Sequence, residues 1–302
     1  MTSQYAAHAQ VSCIMTVRNG RETLPATLES VSAQREIEWE LIVVDDGSTD
    51  ETLDLLQQFA RSHPSHRVEI VPTGGVGRGA ALNLAWRAAS TGLIANVDAD
   101  DLYHPTKLAA QYQVLMQRPD VELLSTESHY IGAGEQPDWS AAVNHEPDAT
   151  AESAAPPEPG APRSLDVSDV TSLLGRFNPV NHSSVMMRRA LLEELNGYDE
   201  SRVRQLDYDL WVRAAAAGKR IHQLNRPLTA KRLHNRQSFE ARLSLAYLTS
   251  SFRLQNRAIR SLGLPIHLHA LAALRVLYRL LPQWVRRPLA RKKRALLSTP
   301  DR

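Results

Sequence analysis

Short, continuous apolar runs alternate with helix-period segments along the first hundred residues of the chain. Positions 11–17 and 41–44 are rich in β-branched and other apolar residues and end in polar turns, as parallel strands buried on both faces do. Between them, Leu24, Leu28 and Val31 recur at helical spacing within 24–33. Strand, helix, strand is a βαβ unit, which predicts a parallel sheet with right-handed crossovers. The alternation continues. Ser48-Thr49-Asp50 suits the cap of a helix carrying Leu53, Leu55, Leu56 and Phe59, 68–71 reads as a third strand, and a helix over 80–89 leads into a strand at Leu93. The predicted class is α/β, with ligands expected at the carboxyl ends of the strands.

The pattern lapses over 132–163, where Ala, Pro, Glu, Gly and Asp dominate and Pro156-Pro157-Glu158-Pro159-Gly160 opposes regular structure. This reads as a long flexible insertion or active-site loop. Periodicity resumes with helices over 168–174 and 189–195, an apolar run over 183–187, and a helix over 208–217 that ends at Gly218 as a C-cap would. From 241 to 297 the chain is helical and rich in Leu and Arg. Arg275, Arg279, Gln283 and Arg286 fall on one helical stripe; Ala270, Ala273, Leu277, Leu280 and Trp284 fall on the opposite one. Pro265, Pro282 and Pro288 limit the length of any single helix. The expected organisation is one α/β domain over 1–240, with the insertion at 132–163, then a helical, basic amphipathic extension over 241–302.

Length and charge narrow the partners. A chain of 302 residues can bury a large core. Lys+Arg 35 against Asp+Glu 33 leaves a formal net charge of +2, so bulk charge does not select nucleic acid. Cys13 is the single cysteine, which excludes an intramolecular disulfide, and the first ten residues show no basic-then-apolar leader. A reducing, cytoplasmic setting is expected. Charge is nevertheless uneven: Arg286, Arg287, Arg291, Lys292, Lys293 and Arg294 crowd a segment with no acid. No stretch of about 18 residues there is free of charge, so a spanning helix is not expected. An apolar face with Trp, beside arginine and a basic tail, suits an anionic membrane surface. Contact is therefore expected through 265–297, peripherally on the inner face of the cell membrane. A helix packed on its own domain or on a partner chain is the other reading.

Candidate chemistry lies at the strand ends. Leu93-Ile94-Ala95-Asn96-Val97-Asp98-Ala99-Asp100-Asp101 runs an apolar strand into three carboxylates. Asp98 and Asp100 are two apart, so on an extended backbone they point the same way, which suits two oxygen ligands on a hard divalent cation holding a diphosphate. A solvated acidic turn fits the same residues. In Val43-Val44-Asp45-Asp46-Gly47-Ser48, Asp46 stands where it can accept from the N–H edge of a base, while Ser48 and Asp50 suit helix capping. Gly74-Gly75-Val76-Gly77-Arg78-Gly79 is a glycine-rich turn opening a helix, where the positive N-terminus and Arg78 favour an anion. Asn178-Pro179-Val180-Asn181-His182 places a histidine before an apolar run. Asp207 and Asp209 open a helix ahead of Trp211, positions that the helix dipole favours whatever their chemistry. Lys231-Arg232-Leu233-His234 is a cationic strand end suited to phosphate or to a salt bridge.

In this order, Asp-Asp-Gly-Ser after a strand, a glycine turn, Asp-Ala-Asp-Asp, and a helix-opening Asp before Trp211 resemble the inverting glycosyltransferases of family 2. The resemblance covers about residues 11–240, and 44–48 and 98–101 are its most specific parts. It implies the Rossmann-like GT-A fold: a mixed, mostly parallel sheet flanked by helices, here with a C-terminal helical extension. It implies a nucleoside-diphosphate sugar as donor, UDP being expected, and a hydroxyl of a glycan or lipid-linked molecule as acceptor. Asp46 is then expected at the donor base, with Thr16, Arg18, Asn19, Arg78, Asn83 and Asp98 along the donor. Asp98 and Asp100 are expected to hold Mg²⁺ or Mn²⁺, and Asp207 to be the catalytic base. His182, Trp211, Arg232 and His234 are expected near the acceptor or the diphosphate. Two positions depart from the family pattern. Thr16 stands where Pro usually follows the first strand, and Leu206 stands where Glu usually precedes the base. The Asn-Pro-x-x-His run and the turn with Arg78 look closest to bacterial enzymes that build exopolysaccharide or surface glycans.

A non-catalytic nucleotide- or glycan-binding relative would account for Leu206, but has little reason to keep metal ligands and base together. A sugar nucleotidyltransferase would carry its glycine-rich loop straight after the first strand, where Thr16-Val17-Arg18-Asn19-Gly20 has a single glycine.

Overall fold

In the computed structural model, which describes residues 9–143, 166–233 and 245–281, the first strand β1 (Val11–Val17) is buried on both faces. Ile14 enters one core cluster while Cys13 and Met15 enter the other. β2 (Trp39–Asp45) divides in the same way, Ile42 and Val44 against Leu41 and Val43. That two-sided burial is why these strands read as unbroken apolar runs.

The alternation predicted for the first hundred residues holds. α1 (Leu24–Ser32), α2 (Thr52–Ser62) and α3 (Arg78–Ala88) connect β1, β2, β3 (Val68–Pro72) and β4 (Leu93–Asp98). β3-β2-β1-β4 is the parallel half of one sheet. The sheet continues through β8 (Met186–Arg188), β6 (Leu123–Ile131), β9 (Ile221–Arg232) and β5 (Leu102–Tyr103), with β7 (Val167–Asp169) paired to β9. β8 is antiparallel to both β4 and β6, whereas the long β6–β9 pairing is parallel. The sheet is therefore mixed, with its longest registers parallel. α1, α2 and α4 (Lys107–Gln117) cover one face; α3, α6 (Arg189–Glu194) and α7 (Leu206–Ala216) cover the other. α5 (Ser140–Val143) is a single turn.

Two expectations change. The helix predicted over 168–174 is instead strand β7 followed by a 3₁₀ turn at Thr171–Gly175. The Asp169 carboxylate accepts the Thr171 N–H at 2.9 Å, and Val170 N–H bonds the Ile221 carbonyl, so the segment is held as an edge strand and a tight turn. The second change concerns the C-terminal helices. α8 (Leu245–Ser261) places Leu254 and Ala258 in the same core cluster as Leu174, Tyr208 and Trp211, so it completes the α/β core instead of standing apart from it. α9 (His267–Leu280) then packs through Leu268 and Ala272. Arg275, from the arginine stripe, donates to the Arg176 carbonyl. The outward face carries Leu271, Leu274, Leu277, Tyr278 and Leu281. Among the described residues, no helix is long and apolar enough to cross a membrane. His234, residues 144–163 of the predicted insertion, and the basic segment beyond 281 lie outside the described residues.

Candidate active site

The carboxyl ends of β1, β2, β4 and β9 and the amino end of α7 converge on one polar region. β4 ends in Asp98, and its register sets Thr16 of β1 beside it. Asp98 Oδ1 accepts Arg78 Nη2 at 2.7 Å and lies 2.9 Å from His182 Nδ1. Burial pushes this carboxyl upward, but Arg78 and His182 prevail and hold it well below the usual carboxylate range. Asp98 is thus ionised across the physiological range. Asp98 in turn holds the half-exposed Arg78 guanidinium charged, with help from Asp207 and Asp100.

Asp101 behaves in the opposite sense. It is fully buried, accepting from Ser183 Oγ and from Arg232 N–H at 3.0 Å. Burial, with Asp100 and Asp98 adjacent, pushes it up to about 8. Arg232 also donates through Nε to the Asp100 carbonyl at 3.3 Å, bracing the acidic turn from β9. Oxygens of Asp98, Asp100 and Asp101 lie within 4.8 Å of one another. This donor set is all oxygen, which fits a hard divalent cation such as Mg²⁺ or Mn²⁺. Because Asp101 is committed to Ser183 and Arg232, Asp98 and Asp100 are the pair that fits it.

Asp207 sits in the first turn of α7, where Asn178 Nδ2 donates to its Oδ2 at 2.7 Å. Two residues on, Asp209 is buried and bridges Arg202 and Arg213 at 3.0 and 2.7 Å, a structural role. Leu206, at the position of the family's usual Glu, is buried against the first turn of α3, where a Cβ on Gly79 would lie 3.2 Å from Leu206 Cδ2. Lys231, named in the sequence only as part of a cationic strand end, faces the cluster. Burial lowers its ammonium's pKa, but Asp98, Asp101 and Asp207 more than reverse this.

Other expected donor residues have local work. Asp46 accepts Val76 N–H at 2.6 Å, Gly77 N–H at 3.0 Å and Thr73 Oγ at 2.8 Å. This leaves about one of its four lone-pair positions for a base. It also means that those two amides of the glycine turn serve Asp46 and not an anion. The approach requires glycine: at Gly47 (φ +78°) a Cβ would stand 3.1 Å from the Gly75 nitrogen. Asn19 Oδ1 accepts Thr49 N–H at 2.8 Å and the Asn19 main-chain N–H donates to Ser48 Oγ at 2.8 Å, tying the turn after β1 to the turn after β2. Arg18 is exposed, its Nη1 3.8 Å from where a Gly75 Cβ would stand.

Two predicted residues do not reach the site. Asn83 spends its amide on the main chain of Tyr198, on Glu200 and on Trp86 Nε1, clamping the 197–200 turn to α3. Trp211 is 0% exposed, because α7 is covered on both sides and its aromatic residue fills the core. Tyr198, which no sequence signal singled out, does reach it: its hydroxyl lies 3.0 Å from His182 Nε2.

The sequence model described as "Glycosyl transferase family 2" matches residues 12–153. The chain is 31% identical over 264 residues to "Putative glycosyltransferase EpsE" of Bacillus subtilis (strain 168), covering 85% of this chain and 84% of that protein. It is 35% identical over 109 residues to the Escherichia coli enzyme "UDP-Glc:alpha-D-GlcNAc-diphosphoundecaprenol beta-1,3-glucosyltransferase WfgD", covering 35% of this chain and 41% of that one. Among solved structures, the mannosyltransferase PcManGT from Pyrobaculum calidifontis, in complex with GDP-Man and Mn²⁺, superposes with a TM-score of 0.62 at 19% identity. That match covers 99% of this chain and 79% of PcManGT, and it shows a common fold.

Proposed function

Because the chain belongs to glycosyltransferase family 2 and has the GT-A fold, we propose that it moves a sugar from a UDP-sugar to a hydroxyl of a glycan or lipid-linked acceptor in bacterial surface-polysaccharide synthesis, inverting the anomeric carbon. The observation that carries this reading is the convergence of Asp98, Asp100 and Asp207, from two separate elements, around the cations Arg78 and Lys231. The name of WfgD, with its UDP-Glc donor and diphosphoundecaprenol-linked acceptor, supports the same donor and acceptor classes here.

The chemistry follows from where charge develops. The acceptor hydroxyl loses a proton as it attacks, and Asp207 Oδ1 takes it while Asn178 fixes Oδ2. Negative charge grows on the departing diphosphate, and Arg78 and Lys231 stabilise it. A divalent cation held by Asp98 and Asp100, as the Mn²⁺ complex of PcManGT suggests, would neutralise further charge on that leaving group when bound. Arg232 keeps the acidic turn in place. The acceptor class puts the enzyme at the inner membrane surface, and the outward apolar face of α9 beside Arg279 supports this.

The test is transfer of labelled sugar to membrane-extracted acceptor. Wild type transfers with Mn²⁺ and not with EDTA. Asp207→Asn loses about a hundredfold or more, while UDP with Mn²⁺ still raises its melting temperature as in wild type. Transfer that survives in Asp207→Asn moves the base elsewhere. Absence of any nucleotide-induced stabilisation in wild type favours the non-catalytic relative.

A further inference from the structure

We propose that Tyr198 is a positioning residue for this reaction: its hydroxyl, on His182 Nε2, holds the imidazole with Nδ1 against Asp98 Oδ1 and so fixes the orientation in which Asp98 meets the donor diphosphate and its cation. The inference rests on the reading of Asp98 given above and adds two residues, Tyr198 and Asn96, to the machinery behind it.

The hydrogen bonds join four side chains. His182 Nδ1 lies 2.9 Å from Asp98 Oδ1 and 3.4 Å from Arg78 Nη2. Tyr198 Oη lies 3.0 Å from His182 Nε2, so the carboxylate and the phenol hold the imidazole by its two nitrogens. The phenol oxygen in turn accepts Asn96 Nδ2 at 3.2 Å, and its O–H lies 3.4 Å from Asn96 Oδ1. Every member of the chain Asn96, Tyr198, His182, Asp98 thus has a partner on each side. Without the Tyr198 hydroxyl, Nε2 loses its partner and the ring is no longer held with Nδ1 against Asp98.

The scaffold around the chain is rigid. Tyr198 is 2% exposed and stacks edge-on against His182 with ring centroids 5.7 Å apart. Its main-chain N–H and C=O are both held by the Asn83 side chain at 2.8 and 2.9 Å. The preceding Gly197 has φ +65°, and a Cβ there would come 2.3 Å from Asn83 Oδ1. Asn96 and Asp98 are two apart on β4 and so point to the same side of the sheet. Asp98 Oδ1 is thus clamped between Arg78 and His182. Partners that orient a metal-binding carboxylate typically contribute 10–100-fold in affinity.

The experiment is Tyr198→Phe, which keeps the ring and deletes the hydroxyl. Mn²⁺ affinity, read by electron paramagnetic resonance of the free ion, falls about tenfold or more in Tyr198→Phe and in His182→Gln. The double variant loses no more than His182→Gln alone, since Tyr198 acts through His182. Asp98→Asn loses Mn²⁺ affinity by itself and tests the reading of Asp98 separately. Tyr208→Phe is the control: it loses a buried hydroxyl bond to the Leu174 carbonyl, away from the relay, and leaves Mn²⁺ affinity at the wild-type value. Wild-type affinity in Tyr198→Phe beside a loss in Asp98→Asn overturns the proposal, as do additive losses in the double variant or an equal loss in Tyr208→Phe. Unchanged affinity in Asp98→Asn overturns the reading of Asp98 and the proposal with it. No readout requires sugar transfer, so failure of the donor or acceptor assignment leaves a separate signature.

Discussion

Lys107 is a cation placed where water cannot reach it: its side chain is 1% exposed and, among the described residues, its ammonium has no hydrogen-bond partner. The Tyr103 ring, 5.2 Å from Nζ, offers a cation–π contact. Burial lowers the pKa from 10.5 to about 8. Below pH 8 both folded and unfolded chains hold the proton and the folded state bears the full desolvation cost. Between about pH 8 and 10.5 the unfolded chain binds more protons, so this residue's contribution to stability improves as pH rises. Lys107→Met is therefore expected to be more stable than wild type at pH 7 by up to about 3 kcal/mol, with the difference shrinking toward pH 10. Urea titrations of both proteins across that range check it, and a pH-independent difference would assign the effect to packing. At this scale, sequence marked the residues whose type is chemically loud. Asp98, Asp100, Asp207, His182, Arg78 and Arg232 meet in one region. It misplaced Asn83 and Trp211, because type and spacing do not say which side of a helix faces a neighbour when both sides are covered. Tyr198 stayed hidden because a tyrosine after Gly197 is indistinguishable from core until His182 is brought beside it from sixteen residues upstream.

Among the elements, α9 has the most unusual distribution of apolar surface. Leu268 and Ala272 are buried, yet Leu274 and Leu277 are 58% and 59% exposed and Leu271 and Leu281 lie on the same outward side. An apolar face of this kind beside Arg279 suits insertion at the interface of an anionic bilayer. Leu274→Glu/Leu277→Glu is expected to reduce flotation with phosphatidylglycerol-containing vesicles at least tenfold while leaving the melting temperature unchanged, since neither side chain is packed. A substitution that lowers both would place the face in an intramolecular contact. Helical period separated an arginine stripe from an apolar one without saying which the protein covers; Leu277 and Leu280 of the apolar stripe are exposed, and Arg275 donates to the Arg176 carbonyl. Strands show the same limit. β1, β2 and β4 announced themselves as buried apolar runs, whereas β9 carries Asn225, Arg226, Pro227, Lys231 and Arg232, and its register with β6 shifts opposite Glu127. A strand that hosts site residues at one end and a bulge in its middle does not alternate cleanly.

At the scale of the whole molecule, the site depends on helices that lie far from it in sequence. α7 carries Asp207, and α7 is held on its outer side by α8: Leu254 and Ala258 join Tyr208, Trp211 and Leu174 in one cluster, and Gln205, just before α7, bonds Ser251. The 3₁₀ turn that leads to Asn178 is packed likewise, since a Cβ on Gly175 would stand 2.5 Å from Leu264 Cδ1 and 3.1 Å from Ile259 Cγ1. The C-terminal helices thus support both Asp207, the proposed base, and Asn178, which donates to it. Burying a leucine or isoleucine contributes about 1.5–3 kcal/mol, so removing Leu248, Leu254 and Ile259 together withdraws about 5 kcal/mol or more, a large share of the 5–15 kcal/mol that holds a typical domain folded. A chain ended at 244 is accordingly expected to melt about 10 °C or more below one ended at 281. At temperatures where it remains folded, it should lose transfer far more than donor binding, because Asp46, Arg78, Asp98 and Asp100 lie on or beside β2, α3 and β4, whereas α8 packs mainly on α7, α9 and the 3₁₀ turn. Equal melting temperatures for the two chains would mean that the α/β core closes without α8. Parallel loss of donor binding and transfer would mean that the two halves of the site are coupled through the sheet and not through α7.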